Sequence, residues 1–260
     1  MESTKDDEKN ASDVGSDLAA PTKRPHVKPS RKPLLRFEIR DLSASGVSSF
    51  LQTVNVAHAL EEAVTSTLDL LYTKQSPAKF PPTRSVTLIL HEFNGVAYTN
   101  GTELDDDHKE IHLSTSYISK VDKTRLAAEM RGVLVHEMVH CWQWQAEGSA
   151  PGGLIEGIAD WVRLRAGLAP PHWKRVWKGC EWDAGYDKTG FFLEWLEETV
   201  GEGTVRKINL TLRKGTYKEE TFWMGCCKHH VKELWKRYGD DMEKKKGGGH
   251  AETKKDGQKD

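Results

Sequence analysis

Apolar residues along this chain recur first with a period of two and later with a period near 3.6, which predicts strands followed by helices. Leu34–Leu42 (LLRFEIRDL) alternates and reads as a strand, and Gly46 marks a break. Val47–Tyr72 places Phe50, Leu51, Val54, Ala57, Leu60, Val64, Leu68 and Leu71 at helical spacing and predicts one long helix, closed off by Pro77, Pro81 and Pro82. Ser85–Phe93 (SVTLILHEF) is apolar and β-branched, a strand. Asn94-Gly95 then reads as a hairpin turn into Val96–Thr99. Beyond a polar loop, Glu110–Ile118 (EIHLSTSYI) alternates again.

From Asp122 the period changes. Asp122 is placed to cap a helix with Leu126, Met130, Val133, Leu134 and Met138 in its apolar stripe, ending near Gly148. Pro151-Gly152-Gly153 makes a turn into a second helix, Leu154–Ala166, stopped by Gly167 and Pro170-Pro171. Further helices are expected over His172–Trp177, Asp187–Val200, Thr204–Leu212 and Phe222–Tyr238. A small mixed sheet followed by helices predicts an α+β fold with a cleft between two lobes and a mostly helical C-terminal lobe.

Composition refines the boundaries. The average is polar, with 37% hydrophobic and 30% charged residues, but the polarity is concentrated at the ends. Residues 1–33 and 241–260 lack apolar periodicity and are expected to be disordered tails around a folded domain at 34–240. That leaves about 205 residues, enough for one substantial core. The formal net charge of −1 gives no drive toward nucleic acid or an anionic membrane. The basic run Lys23–Lys32 is Pro-rich and reads as a solvated linker. No apolar run reaches transmembrane length and the acidic start MESTKDDEKN is no signal peptide, so a cytoplasmic location is the default expectation. Cys141, Cys180, Cys226 and Cys227 form no C-x-x-C pair and read as reduced thiols. Asn10, Asn100 and Asn209 stand in N-x-S/T sequons, which matter only in the secretory pathway.

The chemistry is concentrated in His136-Glu137-Met138-Val139-His140, an H-E-x-x-H pattern on the first long C-terminal helix. Residues i and i+4 share a helix face, so both imidazoles can grip one zinc ion while Glu137 serves as base for the attacking water. Zinc needs a further protein ligand. The following segment, CWQWQAEGSA, holds no third His, which excludes the extended metzincin pattern. The second helix offers Glu156-Gly157-Ile158-Ala159-Asp160. Glu156 is the candidate third ligand and Asp160, one turn on, the acceptor for Nδ1 of His136; the reverse assignment, with Asp160 on the metal, stays open. Cys226-Cys227-Lys228-His229-His230 is rejected as a second site because adjacent helical ligands splay apart.

The run HEMVHCWQWQAEGSAPGGLIEGIADWVRLRAGLAPPHW closely resembles members of the plant and fungal basic secretory protein (BSP) family, which are peptidase-like. EIHLSTSYIS and WDAGYDKTGFFLEWLEE resemble it too, and the similarity spans about Arg36 to Arg237. The resemblance implies a zincin-like metallopeptidase fold, one Zn2+ on His136 and His140, a catalytic Glu137 and a downstream acidic ligand in a thermolysin-like E-x-x-x-D arrangement. This chain departs from the family name in being near-neutral and in showing no secretion signal.

The expected activity is hydrolysis of peptide bonds in a peptide or protein substrate. Tyr186, after a Gly and before a helix, is the candidate donor to the developing oxyanion, with simple packing as its alternative role. Leu113, Ser114, Thr115 and Ser116 are expected to pair with an extended substrate, because their strand leads into the zinc helix, with an ordinary sheet strand as the alternative. Trp142 and Trp144 are assigned to the core, as is the Cys141 thiol. A zincin scaffold kept only for binding or defence is the competing class, and another zinc hydrolase such as an amidase is a third. The intact Glu137 favours catalysis.

Overall fold

A computed structural model describes residues 33–72, 80–103 and 105–248 of the chain. Strands come first and helices dominate afterwards, an α+β arrangement. β1 (Leu34–Ile39), β2 (Ser85–His91), β3 (Ala97–Gly101) and β4 (His108–Ser114) form one sheet in the order β1-β2-β4-β3. β2 runs parallel to both β1 and β4, and β3 closes the far edge antiparallel to β4. Val86, Leu88 and Leu90 of β2 share a face with Ile111 and Leu113 of β4, and all five are fully buried.

The hairpin expected at Asn94-Gly95 does not pair β2 with β3. β2 is a central strand with both edges occupied, so the bend at Asn94–Gly95 carries the chain to the far edge, and the hairpin is β3–β4. It is closed before β4 by Asp105, whose Oδ1 accepts from the amides of Asp107 (2.9 Å) and His108 (3.0 Å). Near-continuous burial along β2 against alternating burial along β3 is the mark of a central and an edge strand.

The helix expected over 47–72 is two helices, α1 (Val47–Thr53) and α2 (Val56–Leu71). Val54 is extended, and Asn55 caps α2 by accepting from the His58 amide at 3.1 Å. The strand expected to reach Ile118 stops at Ser114, whose hydroxyl accepts from the Tyr117 amide and caps α3 (Thr115–Lys120). α4 (Leu126–His140) begins later and ends earlier than expected. Asp122 caps the turn before it, accepting from the Thr124 amide at 2.8 Å.

α5 (Gly152–Arg165), α6 (Tyr186–Thr199) and α7 (Thr204–Thr211) follow. The helix expected over 172–177 does not form, since Pro170 and Pro171 lead into an irregular stretch. The helix expected over 222–238 is two, α8 (Glu219–Cys227) and α9 (Val231–Gly248), separated where Lys228 takes a left-handed φ of 63°. α9 continues beyond the boundary expected at 240, with Met242 still buried against the core. The rest of the expected tails, 1–32 and 249–260, lies outside the described residues. Among the described residues no helix is long and apolar enough to cross a membrane.

α4 is enclosed on most sides, with Met130, Leu134, Met138 and Val139 fully buried, because it packs between α2 and α5 and also meets β3. α5 and α6 touch almost backbone to backbone. A Cβ on Gly157 would lie 2.3 Å from Cγ2 of Thr189, so only glycine allows this approach. These contacts set the level at which α5 presents its acidic residues to α4.

Candidate metal centre

His136 and His140 stand one turn apart at the end of α4, their ring centroids 5.0 Å apart. After His140 the chain turns and returns as α5. This brings Glu156 Oε2 to 3.1 Å from His136 Nε2 and Glu156 Oε1 to 3.8 Å from His140 Nε2. The two Nε2 atoms are 3.2 Å from each other. One ligand atom of each residue lies within 4.8 Å of the others, and among the described residues no other three His, Cys, Asp or Glu side chains converge in this way.

The opposite ring nitrogens are occupied. Asp160 Oδ1 lies 2.6 Å from His136 Nδ1, and the carboxylate is buried. Nδ1 of His140 faces Oε1 of Gln143. The Gln143 amide is oriented by its own Nε2, which donates to the Ile155 carbonyl at 3.0 Å, so Oε1 is an acceptor. Both Nδ1 atoms therefore donate, so whenever the rings are neutral each Nε2 carries the lone pair. Two Nε2 atoms at 3.2 Å beside a carboxylate need positive charge among them, as a proton on His136 or as a bound cation. Two imidazole nitrogens and a carboxylate oxygen are a donor set that suits zinc. Asp160, engaged on the other side of the His136 ring, is not one of the three converging groups.

The protonation pattern carries the same demand for positive charge. Burial alone would push His136 down, but its hydrogen bonds to Asp160 and Glu156 outweigh burial and raise its pKa to about 10. His140 is pushed down by burial and by the charge of His136. For Glu156 burial works upward, yet the hydrogen bond and charges of the two histidines bring the carboxyl below its usual range.

The cluster opens into a cleft of about 1300 Å³ lined by β3, α4, the start of α5 and the irregular stretch before α6. Glu137 is buried, and its Oε2 accepts from Thr99 Oγ1 of β3 at 2.7 Å. Tyr186 borders the same cleft, 57% exposed, its ring parallel to that of His136 at 6.2 Å. It adopts a left-handed φ of 47° behind Gly185. The loop that aims it is tied down by Thr189, which accepts from the Gly185 amide (2.9 Å) and donates to the Trp182 carbonyl (2.8 Å). The same loop lies on Gly153, where a Cβ would fall 1.7 Å from the Asp183 carbonyl oxygen. The negative charge of Glu156 first, then burial and the other carboxylates, pushes the Tyr186 phenol up, so it stays protonated and able to donate.

The expectation for Leu113–Ser116 is corrected. Leu113, Ser114 and Thr115 are fully buried, Ser114 caps α3, and Thr115 and Ser116 are helical. β3 stands between β4 and the cleft, and Val96–Gly101 line the opening. The Ser114 amide donates to the Val96 carbonyl and the Thr102 amide to the His108 carbonyl, so even-numbered residues of β3 bond to β4. By antiparallel alternation the main-chain groups of Ala97, Thr99 and Gly101 point outward from the sheet.

Sequence reasoning passed over Thr99 and Gln143. Gln143 was within reach, since it stands three residues after His140 where the helix must end. Thr99 carried no such signal. Trp142 is in the core, whereas Trp144 is half-buried, lines the cleft and lies under Arg213 at 5.6 Å. Cys141, Cys226 and Cys227 are buried and free. His229 pairs with Glu233 at 3.0 Å rather than with the cysteines. The Asn209 side chain is fully buried and accepts from the Trp144 amide, which removes it as a glycan acceptor in the folded chain.

No curated protein and no solved structure matches the chain at a significant level. The BSP family profile, described as "Peptidase of plants and bacteria", matches residues 32–238 and so takes in the whole sheet, the His-His-Glu cluster and the cleft around it. With that extent of match, the chain belongs to the BSP family of plant and bacterial peptidases.

Proposed function

We propose that the protein is a zinc-dependent peptidase in which His136, His140 and Glu156 hold one zinc ion and Glu137 is the general base. The observation that carries this reading is the convergence of two Nε2 atoms and the Glu156 carboxylate, with both Nδ1 atoms already bonded elsewhere. Zinc bound there would supply Lewis acidity, lowering the pKa of water and polarising a peptide carbonyl. The protein's own groups do the rest. Glu137 takes a proton from the attacking water and passes it to the leaving amine. Asp160 and Gln143 hold the two rings in the tautomer that keeps Nε2 free. Tyr186, protonated and in the cleft, donates to the carbonyl oxygen as negative charge develops on it.

The cleft fits an extended chain. The outward main-chain groups of Ala97 and Thr99 offer β-type pairing to a substrate backbone, a recognition mode that depends little on side-chain sequence. The test is zinc content together with cleavage of a mixed peptide library by wild type and by Glu137→Ala. Zinc near one per chain, cleavage by wild type and a loss of about a hundredfold or more in the variant support the reading. Cleavage by the variant at close to the wild-type rate would falsify it.

A further inference from the structure

Thr99 is the residue through which the sheet touches the catalytic machinery. Its hydroxyl lies 2.7 Å from Glu137 Oε2 and 3.1 Å from the Glu137 carbonyl oxygen. The single hydroxyl proton goes to the nearer, charged acceptor. β3 pairs Thr99 with Ile111, so its side chain stands on the same face as that buried residue, toward α4. Its main-chain N–H and C=O point the other way from β4, out of the open edge that lines the cleft. One residue therefore holds the base with its side chain and offers the substrate a pairing partner with its backbone.

We infer that Thr99 is a positioning residue. Its hydroxyl fixes Glu137 by Oε2 and leaves Oε1 for the water proton. A peptide seated on the β3 edge is thereby registered against the base that acts on it. The inference rests on Glu137 being the base, as in the reading above. Nothing else touches Oε2 at this range among the described contacts, whereas the metal ligands are held by a separate set of partners, Asp160 and Gln143. The two sets can therefore be disturbed separately. Removing the hydroxyl frees the carboxylate to rotate without altering the metal's donors, and misplacement of a catalytic group by about 1 Å can cost about a hundredfold in rate.

The test compares wild type with Thr99→Val, Thr99→Ala and Thr99→Ser. Three quantities are read: zinc content, kcat and KM on denatured casein, and the Glu137 conformation in crystal structures. Thr99→Val and Thr99→Ala are expected to lower kcat about tenfold or more with zinc content and KM near wild type, because positioning is lost and binding is not. Thr99→Ser, which keeps the hydroxyl, is expected to restore most of kcat. The crystal structures should show the Glu137 carboxylate moved in the Val and Ala variants and in place in the Ser variant. An unmoved carboxylate in the Val and Ala variants overturns the inference, as does a serine variant no better than valine. Absence of casein cleavage by wild type would count against the peptidase reading, and the carboxylate positions would still decide the role of Thr99.

Discussion

The two sides of the cleft are built differently. On one side, α4 and α5 hold His136, His140 and Glu156 through buried contacts, each imidazole clamped at its second nitrogen and the α5–α6 approach closed down to glycine. On the other, β3 meets α4's Glu137 through a hydroxyl and leaves main-chain donors and acceptors open along its edge. The difference matches the two tasks proposed for them. A metal site needs fixed geometry before anything binds, while a peptide site needs unpaired backbone groups that an incoming chain can complete.

The largest expected effects separate metal binding from base catalysis. His140→Ala should lose both bound zinc and cleavage, whereas Glu137→Ala should keep its zinc and lose about 10²- to 10⁴-fold in kcat. Metal analysis beside steady-state rates checks this, and loss of zinc in Glu137→Ala would erase the distinction between the two sides. Next comes Asp160→Asn, expected to weaken zinc affinity about 10- to 100-fold, measured by competition with a chelator. An unchanged affinity would mean that the Asp160 contact does not set the His136 ring.

Two smaller effects concern the frame. Gly157→Ala puts a methyl group against Thr189 and is expected to cost about 1–3 kcal/mol of stability by chemical denaturation. A wild-type midpoint would show that α5 and α6 have slack. Glu129, in the first turn of α4 and on the wall of the cleft, contributes to acid sensitivity. Burial works to raise its carboxyl, but the Arg163 guanidinium at 3.0 Å and the Tyr117 hydroxyl at 3.0 Å bring it below the usual range. A carboxyl depressed in the folded state stabilises the protein above its unfolded pKa, and that stability is lost as pH falls through the folded value. Glu129→Gln should therefore flatten the loss of stability below about pH 4, read from denaturation midpoints against pH.

The sequence made the α4–α5 side far more legible than the β3 side, for a physical reason. H-E-x-x-H and E-x-x-x-D are local patterns, and the helical repeat alone puts His136 and His140, then Glu156 and Asp160, on common faces. The pairing of the two helices across Pro151-Gly152-Gly153 is short-range as well. Thr99 reaches Glu137 only because β3 crosses to the far edge of the sheet, 38 residues away in the chain, a fact of topology that the Asn94-Gly95 turn signal misdirects. Chain order, with β4 leading toward α4, likewise points to the wrong strand for the cleft edge, since Leu113 and Ser114 are sealed in the core. Helix breaks at Asn55 and Lys228 escaped because apolar spacing continues across them. One is set by a side-chain cap and the other by a left-handed residue.

The assignment of the site to zinc is tested most directly by diffraction from zinc-loaded crystals at the zinc absorption edge. The account predicts one anomalous peak per chain, within bonding distance of His136 Nε2, His140 Nε2 and a Glu156 carboxylate oxygen, with Asp160 still on Nδ1 of His136. No peak between the two histidines, or a peak bound by Asp160 instead of Glu156, would contradict it.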